Sequence, residues 1–94
     1  MGEDNWRPTL LCQRSNGELL VIELKRSRAS DSVIGQISRY IGWVKEHLAT
    51  GKTVKGMILT HQRDESLKYA VIANPNLSIR YYRIRLEFVQ EGNL

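Results

Sequence analysis

Asn16-Gly17 stands between two apolar runs, Thr9-Leu10-Leu11-Cys12-Gln13 and Leu19-Leu20-Val21-Ile22, the second continuing as Glu23-Leu24-Lys25. Asn-Gly in that setting is the strongest short-range hairpin signal, because both residues tolerate the positive φ of a type I′ turn. The chain is therefore committed early to an antiparallel strand pair. A turn centred on Asn16-Gly17 sets Thr9 opposite Leu24. From Leu19 to Ile22 the second strand is apolar on both faces, which predicts a central strand covered on each side, as in α/β sheets.

A crossover unit follows. Ser30-Asp31-Ser32 supplies N-cap candidates and an acid for the positive end of a helix dipole. Val33, Ile34, Ile37, Tyr40, Ile41, Val44 and Leu48 then recur at helical spacing, with Gly51 as a C′ residue, predicting a helix from about Asp31 to about Ala49. Gly35 and Gly42 inside it are tolerable if they let the helix lie close to the sheet. Val54 to Thr60 reads as a second buried strand, and Asp64 to Ala73 as an amphipathic helix stopped by Asn74-Pro75. Ser78 to Phe88 reads as a last strand with Tyr82, Ile84, Leu86 and Phe88 facing the core. Strand, long helix, strand in one sheet makes a parallel, right-handed pair. The expected architecture is α/β: a mixed sheet flanked by helices, in the order β-β-α-β-α-β.

Ninety-four residues, 41% apolar and 26% charged, are the size and composition of one folded domain. No apolar run approaches the roughly 20 residues of a membrane span. A single cysteine, Cys12, excludes an internal disulfide framework and a multi-thiolate zinc site, so a reducing cytoplasm is the expected compartment. Cys12 alternates with the hairpin core and reads as a buried small hydrophobe. The net charge of +4 favours a polyanionic partner without identifying one.

Chemistry concentrates at the end of the second strand. Residues two apart on a strand project from the same face, about 6.5–7 Å apart along it, so Glu23 and Lys25 stand side by side at the mouth of the sheet. A carboxylate there can hold Mg²⁺ with help from a backbone carbonyl, and an adjacent ammonium can position a water and stabilise charge on a phosphoryl group. A solvated, purely structural ion pair has the same sequence. Gln36 and Tyr40, at i and i+4, share one helix face beside the apolar stripe, where a packing helix would carry Leu or Ala. Gln36 can bond a water or phosphate there, or simply satisfy a backbone group. Trp43 and Tyr81-Tyr82 have the rings to stack on bases, but packing is the simpler use of them. His47 and His61 have no ligand spacing and read as ordinary surface or strand-end histidines.

Leu10 to Arg26, with Ser30-Asp31 and Gly35-Gln36-Ile37-Ser38-Arg39-Tyr40-Ile41-Gly42-Trp43-Val44, resembles the nuclease domain of NucS-like endonucleases. These belong to the PD-(D/E)XK superfamily with the restriction-endonuclease fold, and the resemblance runs from about Arg7 to Phe88. It implies a DNA-repair endonuclease that uses Mg²⁺ or Mn²⁺ to hydrolyse phosphodiesters. Glu23 would be a metal ligand, the Leu24 carbonyl a second, Lys25 the catalytic lysine, and Gln36 and Tyr40 the accessory pair on the helix.

Two departures accompany the resemblance. The first acid of the family belongs directly after Pro8, where this chain has Thr9, and a neutral hydroxyl does not replace a carboxylate as a Mg²⁺ ligand. The fold also normally opens with a helix and a strand, and eight residues precede Thr9, so an N-terminally truncated single domain is expected. An open strand edge favours pairing with a second copy, a homodimer. Lys25, Arg26, Arg28, Arg39 and Lys45 cluster toward the same end, and Arg26, Arg28 and Arg39 are the expected phosphate contacts to DNA. Arg80, Arg83 and Arg85 read as edge protection. The alternative function is a catalytically silent module that binds nucleic acid or a protein, with Thr9 marking a lost metal site.

Overall fold

The computed structural model describes residues 9–26, 29 and 31–92. Its elements are β1 (Thr9–Gln13), β2 (Leu19–Leu24), α1 (Ser32–His47), β3 (Val54–Thr60), α2 (Glu65–Ile72) and β4 (Leu77–Tyr81). They form one four-stranded sheet in the order β1-β2-β3-β4, antiparallel between β1 and β2 and parallel elsewhere. The α/β class, the element order and the parallel β2-α1-β3 crossover are as the sequence predicts.

The hairpin is present, with a different turn. Arg14 N donates to Glu18 O at 2.8 Å and Gly17 N to Arg14 O at 2.9 Å, closing a loop over Ser15, Asn16 and Gly17. Gly17 has φ +92° and no non-glycine residue among the described ones takes positive φ, Asn16 included, so this is a turn followed by a left-handed glycine rather than a type I′ turn. Asn16 instead uses its Oδ1 to accept from Glu18 N at 3.0 Å. The third loop residue shifts the register, and Thr9 pairs with Glu23, not Leu24.

Both helices lie on one face of the sheet. Val33, Ile37, Ile41 and Val44 of α1 and Leu67 of α2 share a single core with Val21, Val54, Ile58 and Leu77. The other face carries Leu20, which is buried, and Ile22, Leu24, Met57 and Leu59, which are half-buried, and has no helix over it among the described residues. The close approach of helix to sheet is made by Gly56 of β3, where a Cβ would stand 2.9 Å from Ile37 Cδ1, Ile41 Cδ1 and Leu77 Cδ2. Gly35 and Gly42, expected to serve that purpose, are on the exposed side of α1.

The ends of the elements also differ from expectation. Asp31 holds the N-cap position of α1 without a side-chain hydrogen bond, and Ser30 lies outside the described residues. Gly51, at φ +80°, serves the turn that Lys52 N closes onto Ala49 O at 2.9 Å, beyond the helix end. Asp64 does cap α2, its Oδ1 accepting from Leu67 N at 3.0 Å. β4 stops at Tyr81, which pairs with Thr60, the last residue of β3, and Tyr82 N makes a final bond to Thr60 O at 3.0 Å. Beyond it no neighbouring strand remains to pair with among the described residues. Ile84, Leu86 and Phe88, expected in the core, are exposed, and Cys12 is half-buried.

Candidate active site

The parallel β2-α1-β3 unit brings the end of β2 under the first turns of α1, and the register places β1 beside it. Glu23 projects to the helix face with Val21 and is only 1% exposed. Thr9 Oγ1 donates to Glu23 Oε1 at 2.8 Å. Glu23 Oε2 lies 3.8 Å from Lys25 Nζ and accepts no hydrogen bond. Lys25 Nζ in turn donates to Gln36 Oε1 at 3.3 Å. A polar line therefore runs Thr9-Glu23-Lys25-Gln36 across β1, β2 and α1, and three of its members are the residues singled out from the sequence.

Burial gives this line its character. A carboxylate removed from water is costly unless hydrogen-bonded and paired with opposite charge, and Glu23 has one of each. Lys25 is a quarter exposed, so its ammonium faces both the carboxylate and the solvent outside. The strand end is held firmly. Lys25 N donates to Leu59 O at 2.8 Å, and the Tyr82 hydroxyl donates to Lys25 O at 2.8 Å. His61 Nε2 lies 2.6 Å from Arg26 O, so that nitrogen carries the proton, and its ring meets Tyr82 edge-on at 5.4 Å. Thr60, fully buried one residue past the Leu59–Leu24 pair, has a hydroxyl with no hydrogen bond.

Tyr40 lies one helical turn beyond Gln36 and is 43% exposed. With Gln36, Arg39 and Trp43 it lines an open cleft of about 490 Å³, and with Thr9 and Trp43 it lines a smaller hollow of about 250 Å³. Leu24 turns its side chain to the opposite sheet face, leaving its backbone carbonyl between Glu23 and Lys25. Arg26 is exposed at the strand end and Arg39 borders the cleft, whereas Arg28 lies outside the described residues. Tyr82 and His61 had no local signal as site residues, since their partners are distant in sequence. Trp43, expected to pack, is 53% exposed.

A family model described as the endonuclease NucS C-terminal domain matches residues 8–85. The chain belongs to this family. It is similar to the structure of EndoMS in apo form, with TM-score 0.74 and 22% identity over 88% of this chain and 35% of that one. It is also similar to a repair endonuclease from Pyrococcus abyssi, with TM-score 0.66 and 25% identity over 77% and 30% of the two chains. A third similar structure is an EndoMS-dsDNA2 complex, with TM-score 0.67 and 23% identity over 82% and 31%. This chain thus spans about a third of the length of each. Among curated proteins none matches.

Within the NucS C-terminal fold, the donors at the end of β2 bear on whether a divalent cation fits. No group of three or more His, Cys, Asp and Glu side chains gathers among the described residues. Glu23 Oε2, however, is a buried carboxylate oxygen with no hydrogen bond. Mg²⁺ is commonly held by one or two carboxylates together with substrate phosphates, and Glu23 meets the lower of those requirements.

Proposed function

We propose that this chain is a DNA-cleaving NucS-type domain that hydrolyses phosphodiester bonds with Mg²⁺ or Mn²⁺. The observation that carries the reading is the Glu23-Lys25-Gln36 line at the mouth of the sheet, beside an open cleft bordered by Arg39. A divalent cation held by Glu23 and the Leu24 carbonyl would supply charge neutralisation on the phosphate and a more acidic water. Lys25 holds an ammonium where negative charge builds up on the phosphoryl oxygens, and Gln36 fixes that ammonium by accepting a hydrogen bond from it. Tyr40 offers a hydroxyl on the same side of the cleft. Arg26, Arg28 and Arg39 meet the DNA backbone without reading sequence. The similar EndoMS-dsDNA2 complex supports DNA as partner, and the open edge of β1 supports pairing of two copies into a homodimer. The reading is tested by incubating supercoiled and branched DNA with Mn²⁺: the parent nicks it and Glu23→Ala or Lys25→Ala does not. Equal cleavage by parent and variants would refute it.

One observation favours a second reading, a silent nucleic-acid-binding module. Thr9 stands where an acid would complete the cation site and spends its proton on Glu23. Calorimetry with Mn²⁺ separates the two: tight binding by the parent supports the enzyme, and binding gained only in Thr9→Asp supports the silent module.

A further inference from the structure

We infer that Trp43, backed by His47 and flanked by Tyr40 and Arg39, is a stacking platform for an unpaired nucleobase next to the cleaved phosphate. The inference rests on the nucleic-acid reading above and adds a base subsite to it.

A tryptophan on a helix that packs against a sheet normally turns its large ring into the core. Here the core side of α1 is filled by Val33, Ile37, Ile41 and Val44, and the indole is left 53% exposed. It is nonetheless held in place. The His47 ring stacks on it with centroids 4.5 Å apart and planes 18° from parallel, while His47 Nδ1 lies 3.0 Å from Trp43 O. His47 occupies one indole face, and the indole edges the cleft it shares with Gln36, Arg39 and Tyr40. A flat, rigid, half-exposed ring with one face already stacked presents its other face as a ready surface for a second aromatic plane.

Three features select a nucleobase as that plane. The cleft is continuous with the proposed catalytic line, because Gln36 both borders it and accepts from Lys25. On its other side, Tyr40 and Trp43 line the hollow that reaches Thr9, the partner of Glu23. Arg39 borders the cleft, Lys25 reaches its edge through Gln36, and the one acid placed against the platform among the described residues, Glu46, has its Oε2 3.6 Å from His47 Nε2; the Arg39 guanidinium folds back over Gly35, its Nη1 3.5 Å from where a Cβ would stand. An apolar protein segment gains nothing from the Arg39 guanidinium at the rim, whereas a nucleotide presents a π face to the indole and a phosphate to the guanidinium.

The chain has two tryptophans, so Trp6→Phe isolates the emission of Trp43. That protein is titrated without metal against single-stranded oligothymidylate, with fluorescein anisotropy of the same oligonucleotide followed in parallel. Saturable quenching that tracks the anisotropy is expected, and an abasic oligonucleotide should bind without quenching. Trp43→Ala should weaken binding about fivefold or more with an unchanged salt dependence, Trp43→Phe should retain most of the affinity, and Arg39→Ala should lower the salt slope by about one. Binding with no change in Trp43 emission, or equal affinity in Trp43→Ala, overturns the base subsite and leaves the nuclease reading standing. No binding by anisotropy even at low salt overturns both. Quenching that appears with protein concentration alone, together with a dimer in sedimentation, assigns the surface to a second copy and overturns the subsite.

Discussion

The Thr9 hydroxyl donates a hydrogen bond to Oε1 of Glu23 across the β1–β2 pair, 2.8 Å away. A neutral donor on one strand thereby stabilises a buried charge on the next. Thr9→Val removes the donor at nearly constant volume and is expected to cost about 1–3 kcal/mol, the usual penalty for a buried group left without its partner. Urea unfolding measures it, and a change below a few tenths would mean the bond contributes little. Thr9→Asp faces one carboxylate with another. It should lower the thermal midpoint in EDTA and recover it in Mn²⁺, because a cation is what reconciles two close anions.

The Glu23–Lys25 pair predicts an asymmetry. Lys25→Met leaves Glu23 buried and charged with only Thr9 for company, at an expected cost of about 1–3 kcal/mol. Glu23→Gln removes the charge but keeps the shape and an acceptor for Thr9, and should cost less. Combining the two should recover part of the Lys25→Met loss in a double-mutant cycle. If Glu23→Gln proves the more damaging single change, the ion pair is not what stabilises the strand end.

Gly56→Ala is expected to destabilise by about 1–3 kcal/mol, because the added methyl meets three buried branched side chains at 2.9 Å simultaneously. Circular dichroism thermal melts test this directly. Ile37→Val in the same chain should relieve part of the loss, since it shortens one of the three.

At the other end of the chain, deleting residues 84–92 should leave the thermal midpoint nearly unchanged, since Ile84, Leu86 and Phe88 are exposed. Tyr82→Phe removes one hydroxyl and should cost about 1 kcal/mol by freeing the Lys25 carbonyl. An effect of the deletion larger than that of Tyr82→Phe would show that the exposed segment packs on the domain in solution.

Much of the site was legible in the sequence because its members are tied by short periodicities. Glu23 and Lys25 share a face through strand alternation, and Gln36 lies at the start of a helix that must cross over that strand end. The register was not legible, because Asn16-Gly17 suits both a two-residue and a three-residue loop, and only the hydrogen bonding of Arg14 and Glu18 decides between them. The length of β4 was not legible either. Alternation from Tyr82 to Phe88 describes a strand equally well whether or not a neighbour exists to pair with it. The sequence offers Trp43 both as a base-stacking ring and as a packing residue and favours packing, because indole is usually buried, and only the filled core beneath α1 forces it outward.

The hairpin loop gives this chemistry an unusual point of control. Because strand side chains alternate, inserting or deleting a single residue among Ser15, Asn16 and Gly17 would slide β1 by one place and exchange its faces. The Thr9 hydroxyl would swing to the far side of the sheet and an aliphatic neighbour would take its position against Glu23. What stands beside the buried acid is thus decided at the distant tip of the hairpin, where an indel touches none of the reacting groups.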